Sequence, residues 1–227
     1  MNQKVFLMKI QKIFKFFCIF LIGAGFILSA QVSRAQDAGE KSIAVMPYVK
    51  GKNPESIEET ITRPYSSFCF DNESIKQSAD RTLTRMLQTM LNRDFRGRVV
   101  PLEQAVDAFE IIKVDHIKDT PKVVLLKLGE TLNTDYMMAG NVWRYTDRVG
   151  ASFSAEKPAS VAFAVYLVDM KTGRLIWTES YDKTQQALTD NLFNAKDFFK
   201  QGAKWLTAEE LARFGMNKMF ENFPLKQ

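Results

Sequence analysis

VAFAVYLVDMKTGRLIWTESYDK, residues 161–183, decides the fold of this chain. Two runs of strand length, 161–169 and 174–183, are rich in β-branched and aromatic residues, and they lie on either side of a Met-Lys-Thr-Gly sequence. Gly173 can adopt the positive φ that a short hairpin loop requires. The stretch therefore predicts two antiparallel strands joined by a tight turn.

Three further strands are predicted outside this hairpin. Residues 136–146 have the same strand character, and a polar link, 150–158, joins them to the hairpin. Residues 42–49 are apolar on both faces, which predicts a strand in the middle of a covered sheet. A short strand is also expected at 98–100, where Pro101 ends it.

Helices are predicted from apolar residues at steps of three and four. Thr120-Pro121 is an N-cap followed by proline at the first helical position, and Thr207 with Glu210 has the spacing of a capping box. The predicted helices are 74–97, 102–109, 121 to before 135, and 207 to about 220. This order of elements predicts an α+β fold with a mixed, largely antiparallel sheet and helices packed on it.

The N-terminus has the order of a secretory signal peptide. Four lysines precede an apolar run of 15 residues, 16–30, whereas a helix that spans a bilayer needs roughly 20. Small residues place the predicted cleavage between Ala35 and Gln36, with Ala30 as the second choice. An exported, periplasmic protein is therefore expected, either free or associated with the outer membrane. Its predicted parts are the signal peptide 1–35, a polar leader 36–41 and a single domain 42–227.

Removal of the signal peptide changes the charge and the cysteine count. The peptide holds five basic residues and no acid, so the remaining chain has 26 Lys and Arg against 26 Asp and Glu. Binding to nucleic acid, which needs a basic surface, loses its support. Cys69 is then the only cysteine, so it either is buried or forms a disulfide with another chain. No cysteine suited to lipidation follows the apolar run, so membrane association is expected only indirectly or through an uncleaved signal.

Patterns for catalysis and metal binding are weak. His116 is the only histidine, and no nucleophile or orienting acid stands at a suitable spacing from it. One histidine and one distant cysteine do not supply the ligands of a zinc site. Glu58-Glu59 is a candidate acid–base pair for a hydrolase, although its polar surroundings do not predict the burial that shifts a pKa. The sequence therefore predicts no enzyme activity and no cofactor or metal.

Aromatic residues are the candidates for contact with a partner protein. Trp143 and Tyr145 are two residues apart and Trp177 and Tyr181 are four apart, so each pair is predicted to share a sheet face. These rings can form the core under the helices or an exposed binding surface, and both alternatives stay open. The long loop 51–72 adds three candidates: Tyr65, Phe68 and Phe70.

Three segments carry a resemblance to a known family. They are Ile43-Ala-Val-Met-Pro-Tyr48, the segment Leu128 to Val142, and the strand–turn–strand segment Val165 to Trp177. In order and character they resemble the family that includes the curli secretion subunit CsgG, the N-terminal domain of TolB and the lipoprotein LpoB. The resemblance covers most of residues 42–185. It implies a TolB N-terminal/CsgG-like fold and a non-enzymatic domain of the cell envelope.

The resemblance implies an adaptor or assembly protein that binds other envelope proteins or copies of itself. A ring-forming subunit of an outer-membrane secretion complex is the second hypothesis, and a hydrolase is the third. Pore-forming members have a lipid-anchoring cysteine and added membrane hairpins with strands of about ten residues. The link 150–158 is too short for such a hairpin, and Pro101 stands where the family has charged residues. A pore is therefore not expected.

Overall fold

A five-stranded sheet is the centre of the fold. The computed structural model describes residues 41–51, 74–116, 118–186 and 204–226. The strands of the sheet are β1 (Ile43–Val45), β2 (Val49–Lys50), β3 (Tyr136–Thr146), β6 (Ser160–Asp169) and β7 (Arg174–Thr184), and β4 (Val149–Ala151) with β5 (Ser154–Lys157) forms a separate hairpin. The helices are α1 (Ala79–Asp94), α2 (Leu102–Asp115), α3 (Pro121–Leu132) and α4 (Ala208–Met219), followed by a 3₁₀ turn (Phe220–Asn222).

The predicted fold class is confirmed. β6 and β7 pair antiparallel, and so do β3 and β6, whereas β1 and β2 pair in parallel with β3. At the turn between β6 and β7, Gly173 has a φ of 63° and its N–H donates to the carbonyl of Asp169 at 2.8 Å. The Asp169 carboxylate also accepts from the backbone N–H of Thr172 at 2.9 Å, which fixes the turn.

The predicted opening strand differs from the observed one. It is divided into β1 and β2 around Pro47, which has no N–H to donate to a ladder. β1 lies at one end of the described strand order, not in the middle. Its outer edge is covered locally, because Ile43 donates to Arg98 at 2.8 Å and Val100 donates to Ile43 at 2.9 Å. β1 is therefore buried on both faces without being a central strand.

The first helix begins later than its periodicity predicts, at Ala79 instead of residue 74. Backbone hydrogen bonds explain the difference: Tyr145 donates to Ser74 at 2.8 Å, and Lys76 donates to Tyr145 at 2.9 Å. These bonds hold residues 74–76 extended beside the end of β3, where Ile75 and Tyr145 form a parallel bridge. Pairing with the sheet therefore overrides the helical pattern.

The sheet has helices on both faces. On the first face, α1 and α4 pack over a core that includes Val45, Met138 and Phe163. On the second face, α2 and α3 pack over a smaller core that includes Met137, Leu128 and Tyr166. Within the described parts of the chain, no helix combines the length and the apolar character needed to cross a membrane.

The link 150–158 is not simply polar coil. β4 and β5 form a short antiparallel hairpin across it, with strands of three and four residues and not the roughly ten of a membrane hairpin. Gly150, with a φ of 98°, supplies the conformation that an L-residue avoids and allows strands of only three and four residues to pair.

Candidate partner-binding surfaces

A β-bulge separates two aromatic residues that the sequence placed on one face. The register of β3 on β6 shifts between Val142 and Arg144, so Trp143 is the extra residue. Trp143 packs with the second-face core, whereas Tyr145 packs with the first-face core. The prediction that these two share a face is therefore wrong, because alternation along a strand fails at a bulge.

The other candidate rings lie in the core beneath α4. Trp177 and Tyr181 share the first face, as their spacing predicts. Tyr145 and Tyr181 are 2% and 7% exposed. The Trp177 ring meets Phe220 and Phe223 edge-on, with centroids 5.4 and 5.0 Å apart. For Tyr145, Trp177 and Tyr181, the structure thus shows the core alternative.

Several predicted site residues lie outside the described residues. They are the cleavage site Ala35 and Gln36, the acid pair Glu58 and Glu59, Cys69, and the loop candidates Tyr65, Phe68 and Phe70. The predictions made for them remain predictions.

His116 lies at the C-terminal end of α2. Its Nδ1 is 2.5 Å from a carboxylate oxygen of Asp119, three residues further on. In the described part of the chain, neither side chain forms a hydrogen bond to a third group that could complete a catalytic arrangement. The described residues also hold no cluster of three His, Cys, Asp or Glu side chains that could bind a metal.

An apolar groove lies on the second face between the start of α3 and the sheet. Its empty volume is about 560 Å³, including the open space at its mouth. Apolar side chains dominate its lining, with Lys122 at the N-terminal end of α3. The sheet contributes Val49, Ala139, Asn141, Tyr166, Val168 and Leu175, and the rest of the lining includes Met46, Pro121 and Leu125.

Asn141 is the polar side chain at the base of this groove. The residue is fully buried, and neither its Nδ2 nor its Oδ1 has a hydrogen-bond partner among the described residues. A buried amide without partners carries the full cost of desolvation. Asn141 was not predicted from the sequence as a site residue, although a polar residue between Gly140 and Val142 in an apolar strand is a visible signal.

A polar network lies on the second face beside the groove. Arg144 Nε donates to Ser160 Oγ at 2.7 Å, and its guanidinium pairs with the Asp182 carboxylate. Ser160 Oγ and Thr184 Oγ1 are 2.6 Å apart. These bonds join β3, β6 and β7. This part of the second face is therefore polar, whereas the lining of the groove is mainly apolar.

β7 is the last strand of the described sheet. Its pairing with β6 shows which of its backbone N–H and C=O groups point away from the sheet. The N–H of Gln185 donates to the carbonyl of Ala159, its opposite residue, at 3.0 Å. In an antiparallel pair such residues alternate with residues whose N–H and C=O point away. Since the register is regular from Thr184 to Trp177, the outward residues are Asp182, Ser180 and Thr178.

An exposed phenylalanine stands at the tip of the β4–β5 hairpin. Phe153 is 84% exposed and is the only aromatic side chain of the described residues in the exposed class. Trp205 N–H donates to the Ser152 carbonyl at 2.7 Å, and the Arg148 guanidinium donates to the Trp205 carbonyl at 2.9 Å. The hairpin is thereby tied to the segment that leads into α4. Phe153 was not among the aromatic residues predicted to contact a partner, because it lies within a polar link.

No protein-family model matches the chain, and no curated protein matches it. Solved structures with a similar arrangement exist. The PelC dodecamer from Paraburkholderia phytofirmans matches with a TM-score of 0.44 and 12% identity, over 79% of this chain and 84% of that one. The LpoB C-terminal domain from Salmonella enterica matches with a TM-score of 0.40 and 12% identity, over 69% and 92%.

Lipoprotein GNA1162 from Neisseria meningitidis matches with a TM-score of 0.40 and 16% identity, over 71% of this chain and 96% of that one. LpoB thus occurs both in the sequence resemblance and among the similar solved structures, whereas these three structures include neither CsgG nor TolB. Likeness at this level of identity does not transfer a function.

Proposed function

We propose that this chain is a non-enzymatic adaptor or assembly protein of the cell envelope, and that it binds an extended segment of another envelope protein along β7. The observation that carries the proposal is the outward-facing backbone of Thr178, Ser180 and Asp182 on the end strand of the described sheet. The signal peptide predicted from the sequence supports the location in the envelope.

Strand addition suits this edge because its hydrogen-bonding groups come from the backbone. An added strand gains main-chain hydrogen bonds, and its alternate side chains give specificity. The usable edge runs from Trp177 to Thr184, because the register shift between Leu167 and Val168 makes Ile176 a bulge. Charged side chains on this edge, such as Glu179 and Lys183, are the usual protection against indiscriminate pairing.

Ser180→Pro tests the proposal, with Ser180→Ala as the matched control. Proline removes an outward N–H and leaves every hydrogen bond from β7 to β6 in place, whereas alanine keeps that N–H. A photocrosslinking residue at position 178 of the full-length chain identifies the partner in living cells. We expect the crosslinked partner to be lost with Ser180→Pro and kept with Ser180→Ala.

Amide hydrogen exchange then shows whether the partner binds as a strand. With the identified partner bound, the amides of Thr178, Ser180 and Asp182 should become protected, whereas those of Glu179 and Tyr181 should be protected already. The alternation is the signature of strand addition, and it does not depend on how well the proline variant folds. A bound partner that leaves the three outward amides exchanging freely would overturn the proposal.

A further inference from the structure

We infer that the second-face groove binds the apolar C-terminal tail of a partner protein. In this arrangement the Asn141 amide pairs with the backbone of the tail, and Lys122 at the start of α3 pairs with its terminal carboxylate. The inference is independent of the strand proposed for β7, because it uses the face of the sheet and not its edge. It rests on two residues that cost the fold stability and that both line this groove.

Asn141 supplies a donor and an acceptor that the fold itself does not use. The residue is fully buried, and neither Nδ2 nor Oδ1 has a hydrogen-bond partner in the described part of the chain. A residue of an extended peptide points its N–H and C=O to the same side, so one such residue offers both partners at once. A fatty acyl chain offers neither. The unpaired amide therefore favours a peptide over a lipid chain.

Lys122 places a positive charge at a helix end where a negative charge is favoured. It is the second residue of α3, whose first turn holds no acidic residue. The helix dipole favours anions at this end, so the lysine costs the helix some stability. Its side chain is exposed at the groove and forms no ion pair within the described residues. A carboxylate bound there interacts favourably with both the ammonium and the helix terminus.

The groove has the length of a short extended peptide. Its lining includes residues of β2, β3, β6 and β7, so it crosses three strand spacings, about 14 Å. Four extended residues span about 13 Å. Between Asn141 and Lys122 the lining is apolar, with Val49, Val168 and Leu175 among its side chains. A tail of about four apolar residues that ends in a free carboxylate therefore matches the groove in length and in chemistry.

Binding requires a lining side chain to move, because Asn141 is fully buried. Met46 lines the groove, and methionine is the most adaptable apolar side chain. Rotamer changes of this kind are common when proteins bind their partners.

The last described residues of this chain do not supply the tail. Leu225 packs with the first-face core, and Lys226 Nζ pairs with the Asp94 carboxylate at 3.0 Å. The groove lies on the opposite face of the sheet. The tail therefore belongs to a different protein.

Three small probes test the inference. They are the tetrapeptide acetyl-Ala-Val-Ile-Leu with a free C-terminal carboxylate, the same peptide with a C-terminal amide, and decanoate, which has an apolar chain and a carboxylate but no peptide group. Each is titrated into the ¹⁵N-labelled full-length chain, purified after export. We expect the free-acid peptide to shift the amide signals of Lys122, Gly140 and Leu175, and to bind about tenfold more tightly than the amidated peptide.

Two variants separate the contributions of the lysine and the amide. Lys122→Ala should remove the preference for the free acid, whereas the control Lys127→Ala should keep it, because Lys127 is another exposed lysine of α3 that does not line the groove. Asn141→Leu should weaken the binding of both peptides about tenfold and leave that of decanoate unchanged.

Several results would overturn the inference. One is equal binding of the free-acid and amidated peptides, and another is an Asn141→Leu variant that binds both peptides as tightly as the unaltered chain. Binding of decanoate without binding of the free-acid peptide would assign the groove to acyl chains instead. Shifts confined to the outward amides of β7 would support strand addition at the edge and refute the groove site. The absence of any shift at millimolar probe concentration would refute it as well.

Discussion

The carboxylate of Asp147, just after β3, accepts a hydrogen bond from the backbone N–H of Ala208, the first residue of α4, at 2.8 Å. The same carboxylate accepts from Lys76 Nζ at 2.9 Å. One side chain thus joins the end of the sheet, the extended segment before α1 and the N-terminus of α4. A negative charge at that terminus also interacts favourably with the helix dipole.

Asp147→Ala should lower the free energy of unfolding by about 1–2 kcal/mol, because a helix N–H and an ammonium group lose their acceptor. The measurement is urea denaturation at pH 7. Asp147→Asn is the control, since an amide oxygen can still accept from Ala208 but carries no charge. We expect the asparagine variant to lose less stability than the alanine variant. Equal losses would show that the charge, and not the acceptor, stabilises this end of the helix.

The part of the stabilising effect of Asp147 that depends on its charge should disappear in acid. Partial burial raises the pKa of this carboxyl, but the hydrogen bond from Ala208 and the Lys76 ammonium outweigh burial and hold the pKa below its usual value of 3.8. A carboxylate with a lowered pKa in the folded state contributes its full stability above the unfolded value and loses it as pH falls through the folded value. The difference in Tm between the unaltered chain and Asp147→Ala should therefore be constant from pH 7 to about 5 and shrink below about 4. A difference as large at pH 2 as at pH 7 would contradict this assignment.

The capping box at the start of α4 is the local signal that the sequence showed most directly. Thr207 Oγ1 accepts from Glu210 N–H at 3.1 Å, and the Glu210 carboxylate accepts from Thr207 N–H at 2.9 Å. Thr207→Ala should cost about 1 kcal/mol of unfolding free energy, whereas Thr207→Ser, which keeps the oxygen, should cost a few tenths. Thermal denaturation of both variants checks this, and an alanine variant as stable as the serine one would contradict it.

Signals confined to a few neighbouring residues predicted their structures well. The capping box, the Thr120-Pro121 helix start and the Gly173 turn all depend on bonds between residues close in sequence, and all three are observed. The bulge at Trp143 was not predictable, because an extra residue in a strand leaves its composition unchanged. The division of the helices between the two sheet faces, and hence the groove beside Asn141, depends on packing between distant elements. The local pattern contains no information about that packing.

Tyr181 and Gly215 fit together so closely that a methyl group at Gly215 has no room. A Cβ at this position in α4 would overlap the Tyr181 ring. Alanine in a helix interior is normally favoured over glycine by about 1 kcal/mol. At this position we expect Gly215→Ala to destabilise the fold instead, by about 1–3 kcal/mol, because the ring and the sheet behind it must shift.

Combining Gly215→Ala with Tyr181→Ala tests this explanation directly. With Tyr181→Ala in place, the ring no longer opposes the methyl group, so adding Gly215→Ala should stabilise the fold through helix propensity. Gly215→Ala should therefore lower the free energy of unfolding when Tyr181 is present and raise it when Tyr181→Ala has removed the ring. Urea denaturation of the four proteins of this cycle measures it. An effect of Gly215→Ala that is the same with and without the Tyr181 ring would show that another contact governs α4.

Asn141→Leu should make the fold more stable, although it changes a buried residue in the centre of β3. The amide has no hydrogen-bond partner among the described residues, so its replacement by an apolar side chain of similar size removes an unpaired donor and an unpaired acceptor. We expect the free energy of unfolding to rise by about 1–3 kcal/mol. Asn141→Asp is the opposite control, because a buried unpaired charge should destabilise the fold strongly. If Asn141→Leu instead lowers the stability, then the amide has a partner, such as a bound water molecule at the base of the groove. High-resolution diffraction from the unaltered chain would identify that partner.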